Sequence, residues 1–192
     1  MDIQEAITNR RSIRKYKPDR LDDKVIQAVL EAARLAPSWG NSQCWRFVVV
    51  QDPIRKEKLA NTLVGITDRP NRVADAMKQA PVAIAVCAQP GQSGYTYREP
   101  KEPATDKGEW WYMFDTALAT QNLVLAAHAT GLGTVIVGAF DAKKAAEVLE
   151  VPPGYVVVAL TPLGYPDEIP NARPRKELSE IVYYNCFKKE EA

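Results

Sequence analysis

The pattern of apolar and polar positions predicts two helices in the N-terminal part of the chain. Asp2 precedes a short apolar stripe at helical spacing and is a candidate N-cap. Asp22 stands in the same relation to a longer amphipathic pattern, which Pro37 ends. The basic stretch RRSIRKYK, residues 10–17, is therefore expected at or just after the end of the first helix.

Short apolar runs further along the chain predict strands. WRFVVV (45–50) is rich in β-branched and aromatic residues and too short for a typical helix. VAIAVCA (82–88) is apolar at every position, which is typical of a central strand covered on both faces. TVIVG (134–138) and YVVVALTPLGYP (155–166) predict two more strands, around a helix that Asp141 caps.

Three remaining segments complete the predicted architecture. A helix is expected near residues 70–79, whereas residues 89–107 form the longest stretch without a predicted element and are expected to be functional or mobile. Residues 109–131 carry apolar or small side chains on nearly every side, which predicts a buried central helix ending at Gly131. Helices that alternate with a few short strands indicate an α+β sandwich around one sheet.

The C-terminal segment ELSEIVYYNCF (177–187) is apolar, but little of so small a domain remains to cover it. We therefore expect one domain spanning residues 1–192, whose tail, from about residue 176, docks on a second subunit.

Composition and charge exclude several classes of protein. The chain has 25 basic and 24 acidic residues, so it lacks the global positive field of a protein that binds nucleic acid through many phosphates. Its three cysteines are widely spaced and form neither a disulfide framework nor a metal-binding motif. No signal segment and no apolar run of about 20 residues is present. A cytoplasmic protein without a metal or a membrane partner is expected.

Two dense clusters of arginine interrupt this neutral background. Arg10, Ser12 and Arg14 occupy alternate positions of the basic stretch, and Arg173 and Arg175 lie far away in NARPRKEL. A basic arm for nucleic acid and a solvated surface are alternatives for the first cluster. The two clusters would repel each other unless an anion lay between them, which favours one bound phosphate. Lys15 and Lys17 are expected to face water.

Two other segments could contact a ligand. The loop APSWGNSQCW carries hydroxyl and amide side chains that suit either a simple turn or the polar edge of a heterocycle or sugar alcohol. In GLGTVIVGAF the glycine pattern lacks the third glycine of a dinucleotide loop, but Gly138-Ala139 offer nearly bare backbone after a strand. His128, the only histidine, lies in the apolar helix without a triad motif, so we interpret it as a packed residue.

These motifs, taken in order, resemble the nitroreductase family of FMN-dependent oxidoreductases. The similarity is collinear from about Ile3 to Tyr183. It is carried by RRSIRKY, APSWGNSQCWRFVVV, NLVLAAHATGLGTV leading into GAFD, LGYP and RPRKELSEIV.

The resemblance implies a central, mainly antiparallel sheet flanked by helices, in an intertwined homodimer with FMN at the interface. The arginines and Ser12 would bind the phosphate and ribityl chain, the 37–43 loop would come from the partner subunit, and Gly138-Ala139 would lie behind the ring, with backbone N–H groups near flavin N5. A contact from Asn71 or Arg72 is a further possibility. The FMN-contacting residues so implied are Arg10, Arg11, Ser12, Arg14, Pro37, Ser38, Asn41, Gln43, Gly138, Ala139, Arg173 and Arg175.

The resemblance also implies ping-pong chemistry, in which NAD(P)H and then a nitroaromatic, quinone or similar acceptor meets the flavin, with two-electron hydride transfer and no essential acid or base from the protein. Specialised members, such as dehalogenases, dehydrogenases and flavin-modifying enzymes, are the alternatives within the family. The chain departs from many relatives at Cys44, where they have proline. It also departs at Gly138-Ala139, where several have Glu-Gly or Gly-Gly, and this second difference bears on how flavin N5 is hydrogen-bonded.

Overall fold

The computed structural model of the protein describes residues 1–65 and 71–187. Its α-helices are α1 (Ile3–Asn9), α2 (Asp23–Arg34), α3 (Pro53–Ala60), α4 (Arg72–Gln79), α5 (Trp111–Ala129), α6 (Ala142–Leu149) and α7 (Leu178–Ile181). Its strands are β1 (Trp45–Val50), β2 (Val82–Ala88), β3 (Gly133–Thr134) and β4 (Val156–Gly164).

The predicted N-caps hold the helices where the sequence placed them. The carboxylate of Asp2 accepts the backbone N–H of Glu5 at 2.9 Å, and Glu5 returns the bond to the N–H of Asp2 at 3.2 Å, forming a capping box. The side chains of Asp22 and Asp141 also cap their helices, α2 and α6, by accepting one backbone N–H each, and Asp52 caps α3 in this way. The segment that carries the first arginine cluster therefore leaves α1 at Arg10, as predicted.

The four strands form one antiparallel sheet in the order β1-β2-β4-β3, which confirms the predicted α+β fold. Strand β2 is central and buried throughout. One predicted strand is wrong in extent, because only Gly133–Thr134 pairs regularly, with β4. The chain then leaves the ladder and returns for a single pairing, in which Val137 exchanges backbone hydrogen bonds with Leu160 at 2.8 and 3.0 Å.

Helices cover both faces of the sheet. On one face, α2 and α5 bury Val29 and Leu123 against Ile84 of β2. On the other face, α3 and α4 bury Leu59 and Met77 against the alternate positions of the same strand. Successive side chains of a strand point to opposite faces, so an entirely apolar β2 supplies both cores.

Helix α5 is less enclosed than its composition predicts. One face, which includes Thr116 and Leu123, is fully buried, but Met113 and Phe114 are exposed in the single chain. The C-terminal tail is also open, because Leu178 is 72% and Phe187 is 84% exposed. Docking of this tail on a second subunit stays a prediction. No helix among the described residues is both long enough and apolar enough to cross a membrane.

Candidate functional site

Backbone pairing brings the basic stretch beside the C-terminal segment. The N–H of Lys17 donates to the carbonyl of Tyr165, and the N–H of Asp167 donates to the carbonyl of Lys15, both at 2.9 Å. On the other side, the N–H of Ile13 donates to the carbonyl of Thr134 in β3, also at 2.9 Å. The stretch is therefore part of the folded domain and does not project as an arm.

This pairing forms a cavity of about 700 Å³ between the two arginine clusters. Residues 10–14 supply one wall and residues 170–175 the other. The predicted site residues that line it are Arg10, Arg11, Ser12, Arg14, Arg173 and Arg175. The structure thus brings together two groups of residues, 10–14 and 173–175, that lie about 160 positions apart in the sequence.

The electrostatics of this cavity are dominated by positive charge. Burial, followed by the neighbouring guanidinium groups of Arg11 and Arg175, lowers the pKa of Arg10 from its ordinary value. Within the described ranges, none of Arg10, Arg11 and Arg175 forms an ion pair with a carboxylate. Like charges held this close without counter-charges form a site for an anion.

Two arginines of the first wall are fixed by carbonyl oxygens. The guanidinium of Arg11 donates to the carbonyls of Thr8 and Arg10 at 2.7 and 2.9 Å. The guanidinium of Arg14 donates to the carbonyl of Ser12 at 3.2 Å. These bonds restrict the side-chain rotamers, so less conformational entropy is lost when an anion binds.

Sequence reasoning missed Glu168, which supports the first wall. Its carboxylate accepts the backbone N–H of Arg14 at 2.5 Å and pairs with Arg72 at 3.0 Å. Nothing in the PDEIP motif except its two adjacent acidic residues could have indicated this role. Arg72 is thus tied to Glu168, while the Asn71 side chain caps α4 by accepting two backbone N–H bonds, at 3.2 and 3.3 Å.

The two lysines of the basic stretch do not line the cavity. The Lys15 side chain is 58% exposed, as predicted, and it also forms an ion pair with Asp167 at 2.8 Å.

His128 lies near the first wall. Burial lowers its pKa, and the charges of Arg10 and Arg11 lower it further. Its Nε2 atom is buried without a hydrogen-bond partner in the described part of the chain.

The 37–43 loop is a separate feature of the surface. Trp39–Asn41 form a short 3-10 turn, after which the backbone N–H of Gln43 donates to the Ser38 hydroxyl at 3.0 Å. The side chains of Ser38, Asn41 and Gln43 do not line the arginine cavity, and neither does Pro37. Within the described residues, the buried Ser42 hydroxyl has no hydrogen-bond partner. The single chain does not bring this loop to the cavity.

Gly138 and Ala139 follow the irregular return after β3. The carbonyl of Ala139 accepts the N–H of Val64 at 2.9 Å, and the carbonyl of Gly138 accepts the N–H of Phe140 at 3.2 Å. Gly138 is exposed, and a Cβ atom built on it would meet no heavy atom within 4 Å. This backbone is therefore open to a ligand, although it lies outside the lining of the arginine cavity.

Comparison with known proteins identifies the architecture. The model of the nitroreductase family matches residues 7–165. The chain belongs to the nitroreductase family. This confirms the family and the oxidoreductase class predicted from the sequence. The match ends before residues 170–175, which supply the second wall of the cavity.

Relatives of this nitroreductase-family chain carry several functional names. A putative NADH dehydrogenase/NAD(P)H nitroreductase of Archaeoglobus fulgidus is 36% identical, over 84% of this chain and 84% of the relative. A 5,6-dimethylbenzimidazole synthase of Rhodospirillum rubrum is 30% identical, over 83% and 79%. An iodotyrosine deiodinase of Thermotoga neapolitana is 26% identical, over 96% and 98%.

Solved structures agree with the family assignment. A nitroreductase family protein from Clostridium novyi NT superposes with a TM-score of 0.76 and 32% identity, covering 95% of this chain and 93% of that one. The NADPH:FMN oxidoreductase of Vibrio harveyi, solved in complex with NAD+, superposes with a TM-score of 0.80 and 25% identity, covering 98% and 79%.

Proposed function

We propose that the protein is an FMN-dependent NAD(P)H oxidoreductase that reduces quinones, nitroaromatics or similar acceptors by two-electron hydride transfer. The observation that carries this proposal is the cavity between two arginine walls. The names of the relatives support it, because they include an NAD(P)H nitroreductase and an NADPH:FMN oxidoreductase.

The residues around the cavity fit the phosphate of FMN. The guanidinium group is planar and can donate two parallel hydrogen bonds to phosphate oxygens. Five arginines and one serine hydroxyl line the space, and the crowding of Arg10 by Arg11 and Arg175 leaves uncompensated positive charge. A phosphate monoester carries close to two negative charges at neutral pH and relieves this repulsion. The cavity volume is within the usual range for a small-molecule site.

Bound FMN would supply the hydride chemistry, and the residues of the chain would bind and orient it. Arg10, Ser12 and Arg14 would hold the phosphate from one wall, and Arg173 and Arg175 from the other, with Arg11 as a further contact. The open backbone at 138–139 would lie behind the ring and offer N–H groups near N5. No side-chain acid or base is assigned to the reaction.

The proposed functional unit is a homodimer in which Pro37, Ser38, Asn41 and Gln43 reach the cofactor of the partner. Two features support this arrangement. The residues of the 37–43 loop do not line the arginine cavity of their own chain. The tail from about residue 176 also exposes apolar side chains, and Tyr183 and Phe187 stack on each other with ring centroids 4.4 Å apart. Residues 188–192 of this tail lie outside the described residues.

The proposal is tested by separating phosphate recognition from recognition of the ring. In the double variant Arg14→Ala with Arg175→Ala, we expect the Kd for FMN to rise by about a hundredfold or more, because two charge-assisted sets of hydrogen bonds are lost. The Kd for riboflavin, which lacks the phosphate, should change little. Fluorescence titration of the folded apoprotein measures both constants.

The matched control is Lys15→Ala with Lys17→Ala, which also removes two positive charges, both from residues of the basic stretch that do not line the cavity. It should leave the affinity for FMN close to that of the wild type. The residue assignments are wrong if the arginine variant retains FMN, and the proposed function is wrong if the wild-type protein binds no flavin.

A specialised reaction is the second candidate, and the synthase and deiodinase relatives favour it. Turnover of halogenated phenols, nitroaromatics and quinones with NADH or NADPH distinguishes the acceptors. Consumption of the bound flavin itself, followed by absorbance, would identify a flavin-modifying enzyme.

A further inference from the structure

A buried carboxylate links the 37–43 loop, which the proposed function assigns to the cofactor, to the long segment 89–107. Asp115 lies in the second turn of α5 and is 1% exposed. Its Oδ2 atom accepts the backbone N–H of Trp39 at 2.9 Å and also accepts the hydroxyl of Ser93. Within residues 1–65 and 71–187, no cationic side chain forms an ion pair with it. These two donors therefore account for the stabilisation of a carboxylate removed from water.

The first donor belongs to a loop that needs external support. Gly40, Asn41 and Gln43 have φ values of 49°, 57° and 45°, which lie in the left-handed region. Asn41 and Gln43 carry Cβ atoms, and this conformation costs such residues about 1 kcal/mol or more each. A backbone of this kind persists only where its surroundings hold it. The hydrogen bond from Trp39 to Asp115 anchors the turn immediately before these positions.

The second donor belongs to the long segment 89–107. This segment approaches the same loop at two further points. The indole N–H of Trp39 donates to the carbonyl of Tyr95 at 3.2 Å. A Cβ atom built on Gly40 would lie 1.8 Å from the hydroxyl oxygen of Tyr97, so the tyrosine occupies the space that a side chain would need. Segment and loop are in direct contact, and the Asp115 carboxylate joins them to α5.

We infer that Asp115 is a positioning residue, whose buried carboxylate holds the 37–43 loop in its cofactor-binding conformation and fixes the 89–107 segment against it. The inference rests on the proposed function, in which Ser38, Asn41 and Gln43 contact FMN, and it adds that the 89–107 segment, which packs against this loop, borders the acceptor. Asp115 touches neither ligand in this arrangement and acts through the loops that it holds.

The two hydrogen bonds that Asp115 accepts can be tested separately. Asp115→Ala removes both, and we expect the Kd for FMN to rise about tenfold, since a loop without this anchor must be ordered when FMN binds. Ser93→Ala removes only the link to the 89–107 segment. It should raise the KM for a quinone acceptor about threefold while kcat and the affinity for FMN stay within about twofold of the wild type. Asp115→Asn keeps an oxygen acceptor and should restore wild-type behaviour.

The matched control is Thr120→Val, which removes a buried hydroxyl of α5. This hydroxyl donates within the helix, to the carbonyl of Thr116 at 2.8 Å. It should alter the free energy of unfolding without altering either constant. The measurements are FMN titration of the apoprotein and steady-state kinetics of the holoenzyme with NADH and benzoquinone.

A wild-type protein that binds no FMN would contradict the proposed function. A wild-type protein that binds FMN, together with a folded Asp115→Ala variant of unchanged Kd and KM, would overturn the inference about Asp115. The same holds if Thr120→Val reproduces the changes of Asp115→Ala. Should Asp115→Ala fail to fold, an unchanged acceptor KM in Ser93→Ala would overturn the inference.

Discussion

The backbone N–H of Arg14 donates a hydrogen bond to the carboxylate of Glu168, 154 residues away in the sequence. The same carboxylate pairs with Arg72, and only 21% of its side chain is exposed. Glu168 immediately precedes the second wall of the cavity, and Arg14 belongs to the first. One acidic residue therefore keeps two positively charged walls together.

Replacement of Glu168 tests this relationship. Glu168→Ala should lower the free energy of unfolding by about 1–3 kcal/mol, because a partly buried N–H loses a charged acceptor. Glu168→Gln, which retains an oxygen acceptor, should lower it less. Urea denaturation measures both. Asp167→Ala removes a neighbouring carboxylate that pairs with exposed Lys15 and should have the smallest effect. Equal losses at positions 167 and 168 would contradict the assignment.

Replacement of two glycines by alanine should have different effects on the free energy of unfolding. In Gly164→Ala, the new Cβ atom would lie 2.6 Å from Cδ of Pro81 and 3.1 Å from Cδ1 of Tyr16. The Pro81 ring is bonded to the backbone and Tyr16 is buried, so the free energy of unfolding should fall by about 1–3 kcal/mol.

Gly138→Ala is the matched comparison, because its Cβ atom would meet no heavy atom within 4 Å. Its free energy of unfolding should stay within about 0.5 kcal/mol of the wild type. If this backbone lies behind the flavin ring, as proposed, the Kd for FMN should nevertheless rise. Unchanged binding would separate Gly138 from the cofactor site.

The stability of the protein should fall in mildly acidic solution because of His128. The native pKa of His128 is lowered by burial, and further by Arg10 and Arg11, whereas in the unfolded chain it returns to about 6.5. Between these two values the unfolded chain binds more protons than the native protein, so the free energy of unfolding decreases as the pH falls below about 6.5.

His128 is the only histidine, so His128→Gln should flatten this dependence of the free energy of unfolding on pH. Urea denaturation of the wild-type and His128→Gln apoproteins, at pH values on both sides of about 6.5, measures the free energy of unfolding of each. An identical slope in both proteins would show that His128 does not titrate in this window.

Two buried thiols should resist alkylation. Cys44 and Cys87 are each 2% exposed. Burial raises the pKa of Cys87 to about 11 and also raises that of Cys44, to which the nearby Asp115 carboxylate adds. Since the thiolate is the reactive form, neither should react with iodoacetamide at about pH 8 in the native protein. Peptide mass spectrometry before and after unfolding in urea checks this, and native alkylation of Cys87 would contradict it.

Local signals explain why so much of the fold could be predicted from the sequence. An N-cap such as Asp141 acts on a backbone N–H three residues away, at 3.1 Å, so its effect is visible in a short window. The apolar run of β2 similarly indicates burial on both faces. The strand predicted at TVIVG is shorter than expected. Only Gly133 and Thr134 pair regularly with β4, and the chain leaves the sheet after them.

Long-range polar pairs explain what the sequence could not indicate. Glu168 and Asp115 carry no motif, and their roles follow from the three-dimensional approach of Arg14 and Trp39. The arginine clusters were detectable because their density is unusual in a neutral chain. A single carboxylate is ordinary in composition, so only the folded arrangement distinguishes Asp115 and Glu168 from the other acidic residues of the chain.

The two walls of the arginine cavity come from residues 10–14 and 170–175, and this has a consequence for biosynthesis. Residues 170–175 are synthesised long after residues 10–14. A nascent chain that has only the first wall cannot bind a phosphate between the two walls. Under the proposed function, FMN can be bound between the walls only after residues 170–175 have been synthesised. Without a bound anion, the guanidinium groups of Arg10, Arg11 and Arg175 repel one another, and under the proposed function the phosphate of FMN would relieve this repulsion.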